Sequence, residues 1–204
     1  MSDLSDLQGR FGDIDIYLFD QLRRGRIAPG MRVLDAGCGA GRNLVYFLRE
    51  GYEVFAADAD PRAIDEVRRL AARLAPQLPA ANFRVEPIEA MTFPAASADV
   101  VISSAVLHFA RDDEHFDRML EASWRPLARG GLLFCRLASS IGMADRMRPL
   151  GNGRFALPDG SERYLVDAAR LTASASALGG TLVDPVKTTI VQNQRCMTTW
   201  VMRK

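Results

Sequence analysis

Three glycines, Gly37, Gly39 and Gly41, fall within the seven residues that begin at Asp35, in the stretch "MRVLDAGCGAGRNLVYFL" (residues 31–48). The apolar run before Asp35 reads as a strand and the segment after Gly41 as a helix, the setting in which a glycine loop binds a ligand. It is not a dinucleotide fingerprint: Gly37 and Gly39 fit GxGxxG, but the third place falls on Arg42. Nor is it a P-loop, because no Gly-Lys-Ser/Thr closes it. Asp35 also argues against a diphosphate, since a carboxylate at the mouth of a strand repels phosphate and desolvating that pair adds cost. The ligand it suits is a nucleoside with ammonium and sulfonium charges and no phosphate, which is S-adenosylmethionine.

Alternating elements must hold this loop. Residues 14–22 read as a helix ending near Gly25; "MRVLDA", "YEVFAAD", "NFRVEP", "ADVVISSA" and "LLFCRLA" read as five strands. Between them, Asp60-Pro61 supplies an N-cap and a first-turn proline for a helix with Ile64, Val67, Ala71 and Leu74 on one face. Asp112 or Asp113 opens another, striped by Phe116, Leu120 and Trp124. Residues 139–164, rich in Gly, Arg and Pro, read as an inserted loop or lid; a last helix precedes two strands turned by "QNQR". Alternation of this kind predicts an α/β domain with a mainly parallel, doubly wound sheet, to which the final hairpin adds one antiparallel strand. The expectation is a single domain over residues 1–204, with residues 1–30 as a helical cover.

The 204 residues are 48% hydrophobic and carry a net charge of +1, which suits a globular core and gives no reason to expect nucleic acid. No apolar run approaches a membrane span, and the acidic start "MSDLSDLQGRFGD" lacks a signal peptide's apolar region. Three dispersed cysteines, Cys38, Cys135 and Cys196, read as reduced thiols and a cytoplasmic location. No His or Cys spacing suggests a metal site.

These motifs resemble class I S-adenosylmethionine-dependent methyltransferases. "VLDAGCGAGRN" is similar to that family's first motif and "EVFAADADPRAI" to its second; "FPAASADVVISSAVLHF" and "LARGGLLFCRL" resemble its fourth and fifth strands. The "GCGAGRN" form with a short C-terminal half is most like the small tellurite-resistance-type branch. The resemblance implies a Rossmann-like, seven-stranded sheet and methyl transfer to a small molecule. It also implies that the backbone of Ala36, Gly37, Cys38 and Gly39 passes under the cofactor, followed by Arg42 and Asn43. Asp35 would sit near the methionine ammonium, Asp58 with Ala59 at the ribose hydroxyls, and Ser103 and Ser104 beside the methionine. At the adenine end Pro87 replaces the family's aspartate. The backbone of Ile88 remains, with Glu86 or Glu89 as a substitute carboxylate.

Several residues carry two readings. His108, after the fourth strand, is a general base or a hydrogen-bonded neighbour of the site. His115 reads as solvated on a surface helix, and Cys38 as a small loop residue. Tyr17 covers a sulfonium by cation–π attraction or merely packs. Arg136, Arg146, Arg148, Arg154 and Arg195 converge on an anionic substrate or are surface charge. Two other functions compete: a catalytically silent cofactor-binding or interaction protein of the same fold, and an NAD(P)-dependent oxidoreductase, against which the shifted glycine and Asp35 weigh.

Overall fold

Val33 and Leu34, adjacent on the first sheet strand, bury themselves in two different cores, one on each face of the sheet. The computed structural model describes residues 4–204, so the first three residues of the expected cover lie outside the described residues. The amino-terminal half runs α1 (Leu4–Phe11), α2 (Ile16–Arg23), β1 (Arg32–Ala36), α3 (Val45–Arg49), β2 (Glu53–Asp58), α4 (Pro61–Leu74), β3 (Phe83–Val85) and β4 (Ala98–Ser104). After it come α5 (Asp113–Trp124), β5 (Leu127–Ala138), β6 (Arg148–Gly151), β7 (Arg154–Ala156), β8 (Glu162–Tyr164), α6 (Ala168–Ala177), β9 (Thr181–Leu182), β10 (Lys187–Val191) and β11 (Arg195–Arg203).

The main sheet has the order β10-β11-β5-β4-β1-β2-β3, with β9 added on β11. Strands β1 to β5 pair in parallel, and β11 lies antiparallel to both β5 and β10, so it is the one reversed strand on that path. Helices on both faces explain why β4 is buried at every position but Asp99: a parallel strand covered twice has no solvent face. One core joins Leu34 and Val101 to Phe116, Leu120 and Trp124 of α5. The other joins Val33 and Val100 to Leu18, Phe47, Ile64 and Val67 of α2, α3 and α4. Asp60 caps α4 as the sequence predicts, accepting from the Arg62 amide, and Asp112 caps α5 through the His115 amide.

Two segments depart from expectation. The polar start contains a helix, α1, held from outside itself: Phe11 stacks on Tyr46 with ring centroids 4.9 Å apart, and Arg10 pairs with Glu50. Residues 139–164 are not a plain loop. Strands β6, β7 and β8 form a small antiparallel sheet with its own core, in which Met143, Met147, Leu157 and Leu165 meet Cys196. Tyr164 pins this meander to the start of α5: its ring stacks on Phe116 and its hydroxyl donates to Asp113 Oδ1 at 2.7 Å. Tyr164→Phe removes that hydrogen bond, and its expected cost is about 1–2 kcal/mol in urea denaturation; an unchanged midpoint sinks this account of how the meander is held.

Candidate functional site

Strand order reverses between β1 and β4, and in such sheets ligands bind at the carboxyl ends beside that point. Two cavities open there. The larger, about 620 Å³, is walled by Gly37, Cys38, Gly39, Asp58, Ile88 and Ser104. Arg42, Asn43, Ala59 and Glu89 also line it, as the sequence predicts. Pro87, Val106, Phe109 and Met119 complete the wall without having been foreseen as ligand contacts.

The loop takes this shape because of what surrounds Gly37. Its φ is +84°, and a Cβ there would stand 2.4 Å from Val106 Cγ2, so no side chain fits. The Gly37 and Cys38 amides both donate to the Ala57 carbonyl, at 2.8 and 3.1 Å, folding the loop onto the end of β2. Asp58 completes the lock. Its Oδ2 accepts from the Gly39 amide and its Oδ1 from the Asp60 amide, each at 2.9 Å. Each carboxylate oxygen keeps acceptor capacity for a ligand hydroxyl. Burial pushes the Cys38 thiol far up, which makes it inert as a nucleophile.

Asp35, Ala36 and Ser103 are all buried, and the cavity wall does not include them. They belong to β1 and β4 themselves, whose interior positions are covered on both faces. Neither oxygen of Asp35 has a hydrogen-bond partner. Burial, against the pull of Arg42 and with the push of Asp58, raises its pKa to about 7.

At the remaining end of the cavity, Glu86 is spent elsewhere, accepting from the Thr92 amide and hydroxyl at 2.9 and 2.6 Å. Of the two glutamates only Glu89 faces the cavity. His115, expected in solvent, is instead buried behind it. Its Nδ1 accepts from the Arg111 amide at 3.1 Å, which leaves the proton on Nε2, 3.0 Å from Glu89 Oε1. Burial opposes ionisation of Glu89, yet its own backbone amide and His115 hold its carboxyl below the ordinary value.

The second cavity, about 260 Å³, shares Ala105 with the first. His108, Arg136 and Arg195 line it as expected, and Arg163, Asp159 and Leu157 line it without having been predicted. Arg148 does not belong there: it is exposed on β6 and shares a separate depression with Arg146. Arg154 pairs with Glu162 at 3.2 Å. A folded meander sends alternate side chains to opposite faces, so its arginines cannot all converge.

Tyr17 is corrected too. Its hydroxyl pairs with Thr189 Oγ1 at 2.7 Å, and the cation over its ring is the chain's own Arg136, 5.5 Å from the centroid. For His108 the structure favours the second reading. Its Nδ1 accepts from the Ala138 amide at 3.1 Å, and burial, helped by the charge of Arg163, pushes its pKa down to about 4. A neutral imidazole with Nδ1 occupied carries its proton on Nε2, so it donates a hydrogen bond and has no lone pair free to act as a base.

Sequence reasoning missed Asp15, whose side chain has no solvent exposure. Its Oδ1 caps α2 through the Tyr17 amide at 2.9 Å, and its Oδ2 accepts from Arg136 Nη1 at 2.9 Å. Its own amide donates to Asn43 Oδ1 at 3.0 Å. An aspartate just before an apolar-periodic helix is the N-cap signature that marks it.

A family model described as a methyltransferase domain matches residues 34–135, half of the 204-residue chain. The chain belongs to the class I methyltransferase-domain family. One curated relative, a ubiquinone biosynthesis O-methyltransferase of Methylocella silvestris, is 37% identical over 135 residues, covering 64% of this chain and 48% of the relative. A protein of the same name from Chelativorans sp. is 29% identical over 157 residues, covering 70% of this chain and 60% of the relative. The methyltransferase domain therefore spans about half the length of the curated relatives it matches. Among solved structures, an S-adenosylmethionine-dependent methyltransferase of Methanosarcina mazei aligns with a TM-score of 0.69 at 20% identity, over 90% of this chain and 96% of that one. A Burkholderia thailandensis 1,6-didemethyltoxoflavin-N1-methyltransferase, crystallised with its substrate and S-adenosylhomocysteine, aligns with a TM-score of 0.70 at 20% identity, over 98% and 81%. Both share the fold.

The raised Asp35 makes a stability prediction. In the unfolded chain its carboxyl ionises near 3.8 and in the folded chain near 7. Between those values the folded state holds a proton that the unfolded state has lost, so stability falls as pH rises. Asp35→Asn removes this penalty: chemical denaturation of the ligand-free domain should show the variant gaining about 3 kcal/mol more, relative to the unaltered chain, at pH 8 than at pH 5. Equal differences at the two pH values rule the account out.

Proposed function

We propose that the chain transfers a methyl group from S-adenosylmethionine to a small anionic molecule. The observation that carries this is the pair of neighbouring cavities that share Ala105 as a wall, the larger one built by a glycine loop and Asp58 at the reversal of strand order. The residues present suit the cofactor. The two oxygens of Asp58 match two adjacent ribose hydroxyls, and Glu89, oriented by His115, offers an acceptor for an adenine amine. Asp35 has a buried, unpartnered carboxyl whose ionisation a nearby ligand ammonium favours. Gly39 borders the cavity with nothing within 4 Å of its Cβ position, which leaves the loop backbone open to close approach.

Bound there, S-adenosylmethionine supplies an electrophilic methyl on a sulfonium sulfur and leaves as S-adenosylhomocysteine. The protein's task is alignment, which contributes about 7–11 kcal/mol when acceptor and methyl are held in line. Ser104 at the end of β4 lines the larger cavity and Ala105 just after it lines both, and this corner fixes that line. His108 donates a hydrogen bond to the acceptor, and a proton released by the acceptor passes to solvent. Residues 4–30 act as the cover and residues 139–164 as the outer wall of the acceptor site. The three free, buried cysteines support a cytoplasmic location. For the small tellurite-resistance-type branch the support is the "GCGAGRN" form of the loop.

Calorimetry on the dialysed chain should detect S-adenosylhomocysteine and not NADH, with Asp58→Ala weakening binding at least ~10-fold through loss of charge-assisted hydrogen bonds. Binding of NADH alone ends this reading in favour of the oxidoreductase. Labelled cofactor, screened against thiols, amines, carboxylates and chalcogen oxyanions, then separates an enzyme from a silent binder. With an acceptor in hand, His108→Asn should cost no more than ~10-fold in kcat/KM, and no limb of the profile between pH 5.5 and 8.5 should disappear with it. A loss of ~100-fold or more, together with loss of a limb, restores the general base.

A further inference from the structure

The second cavity brings three arginines together, but their charges are not equally available. Arg136 is committed: its Nη1 lies 2.9 Å from the fully buried Asp15 carboxylate, which neutralises it. Arg163 stands over the Phe109 ring, 5.0 Å from the centroid, and donates to the Glu162 carbonyl. Both partners are uncharged. Arg195 is exposed at the turn between β10 and β11, and among the described residues no carboxylate touches it or Arg163.

One further charge belongs to this wall. Asp159 Oδ1 accepts from the Ser161 hydroxyl at 2.6 Å and from its amide at 3.0 Å. Those hydrogen bonds first, then the charges of Arg195 and Arg163, hold its carboxyl below the ordinary value. Two uncommitted guanidiniums against one carboxylate leave a single net positive charge. His108 adds a neutral donor, while Leu157, Val191 and Met197 supply apolar wall. Placement along the sheet separates the two ends of this cavity. Ala105 donates its amide to the Arg136 carbonyl, whereas Met197 lies opposite Ala138 and Arg195 is two residues further along β11. With Ser104 opposite Arg136, Arg195 lies three residue positions beyond Ala105, so at about 3.3 Å per strand residue its backbone stands roughly 10 Å further along.

We infer that the second cavity takes a small monoanion, one carboxylate or equivalent oxyanion on an apolar body, with Arg163 and Arg195 gripping the charge and Asp159 excluding a second one. The anionic group is then a handle and not the atom methylated, because it sits away from the shared Ala105 wall. This rests on the methyl-transfer reading of the neighbouring cavities and names the substrate class within it.

The test is calorimetry of the full chain, with and without saturating S-adenosylhomocysteine, using benzoate, benzamide and phthalate as probes. Benzoate should bind at least ~10-fold more tightly than benzamide, and phthalate more weakly than benzoate. Arg195→Ala and Arg163→Ala should each cost ~10-fold for benzoate while leaving S-adenosylhomocysteine affinity unchanged, which also shows that the variants fold. Asp159→Asn should reverse the preference toward phthalate. Equal binding of benzoate and benzamide, or an unchanged order of probes in Asp159→Asn, overturns the inference. If S-adenosylhomocysteine fails to bind while benzoate still depends on Arg195, the methyl-transfer reading falls and the anion site stands.

Discussion

The backbone at Gly37 runs so close to Val106 that a single added carbon would overlap it. Everything at the site follows from that contact. It brings the exit of β1 against the exit of β4, and so sets the glycine loop and the Ser104–Ala105 corner on either side of one space. A positive φ at Gly37 turns the chain there, and two amides fastened to the Ala57 carbonyl keep it turned. Asp58 is drawn in by the same fold, since its carboxylate receives the Gly39 amide. The large cavity is the gap that remains when a chain is bent this way at a reversal of strand order.

Asp15 performs a comparable service between the cavities. A carboxylate without solvent is stable only when its hydrogen-bonding capacity is met. Here α2, β5 and the helix-entry residue Asn43 all connect to Asp15. The N-terminal helices are thereby fixed to Asn43 in the wall of the larger cavity and to Arg136 in the wall of the smaller one. Arg136 is consumed in the process, stacked on Tyr17 and paired with Asp15, so the positive character of the smaller cavity comes from residues further out.

The five strands of the parallel sheet and the glycine loop that walls the larger cavity were legible because each has a local signature. Apolar runs of strand length, an Asp-Pro helix start and glycines between a strand and a helix depend on neighbours in the chain. What was not legible depends on partners far away. Helix α1 exists because Phe11 finds Tyr46, and His115 is held inside by the Arg111 amide on its Nδ1, with Glu89 Oε1 3.0 Å from its Nε2. The meander read as a loop because its core is shared with Cys196 and Met197, thirty or more residues on. Arg148 and Arg163 look alike in sequence, yet only the register of β6, β7 and β8 decides which of them reaches the cavity. His108 was placed correctly, while its role turned on one hydrogen bond from the backbone of β5.

The small core under the meander has a further consequence. Met143, Met147, Leu157 and Leu165 pack among themselves and against the sheet's rim, apart from the two cores that hold the sheet and its helices together. Substitutions at the exposed positions of β6, residues 148–151, can therefore accumulate without loosening the half of the molecule that carries Asp58 and the glycine loop. The architecture divides into a frame that must persist and a face that is free to drift, and descendants of this chain would diverge in what they modify long before they diverge in how they fold.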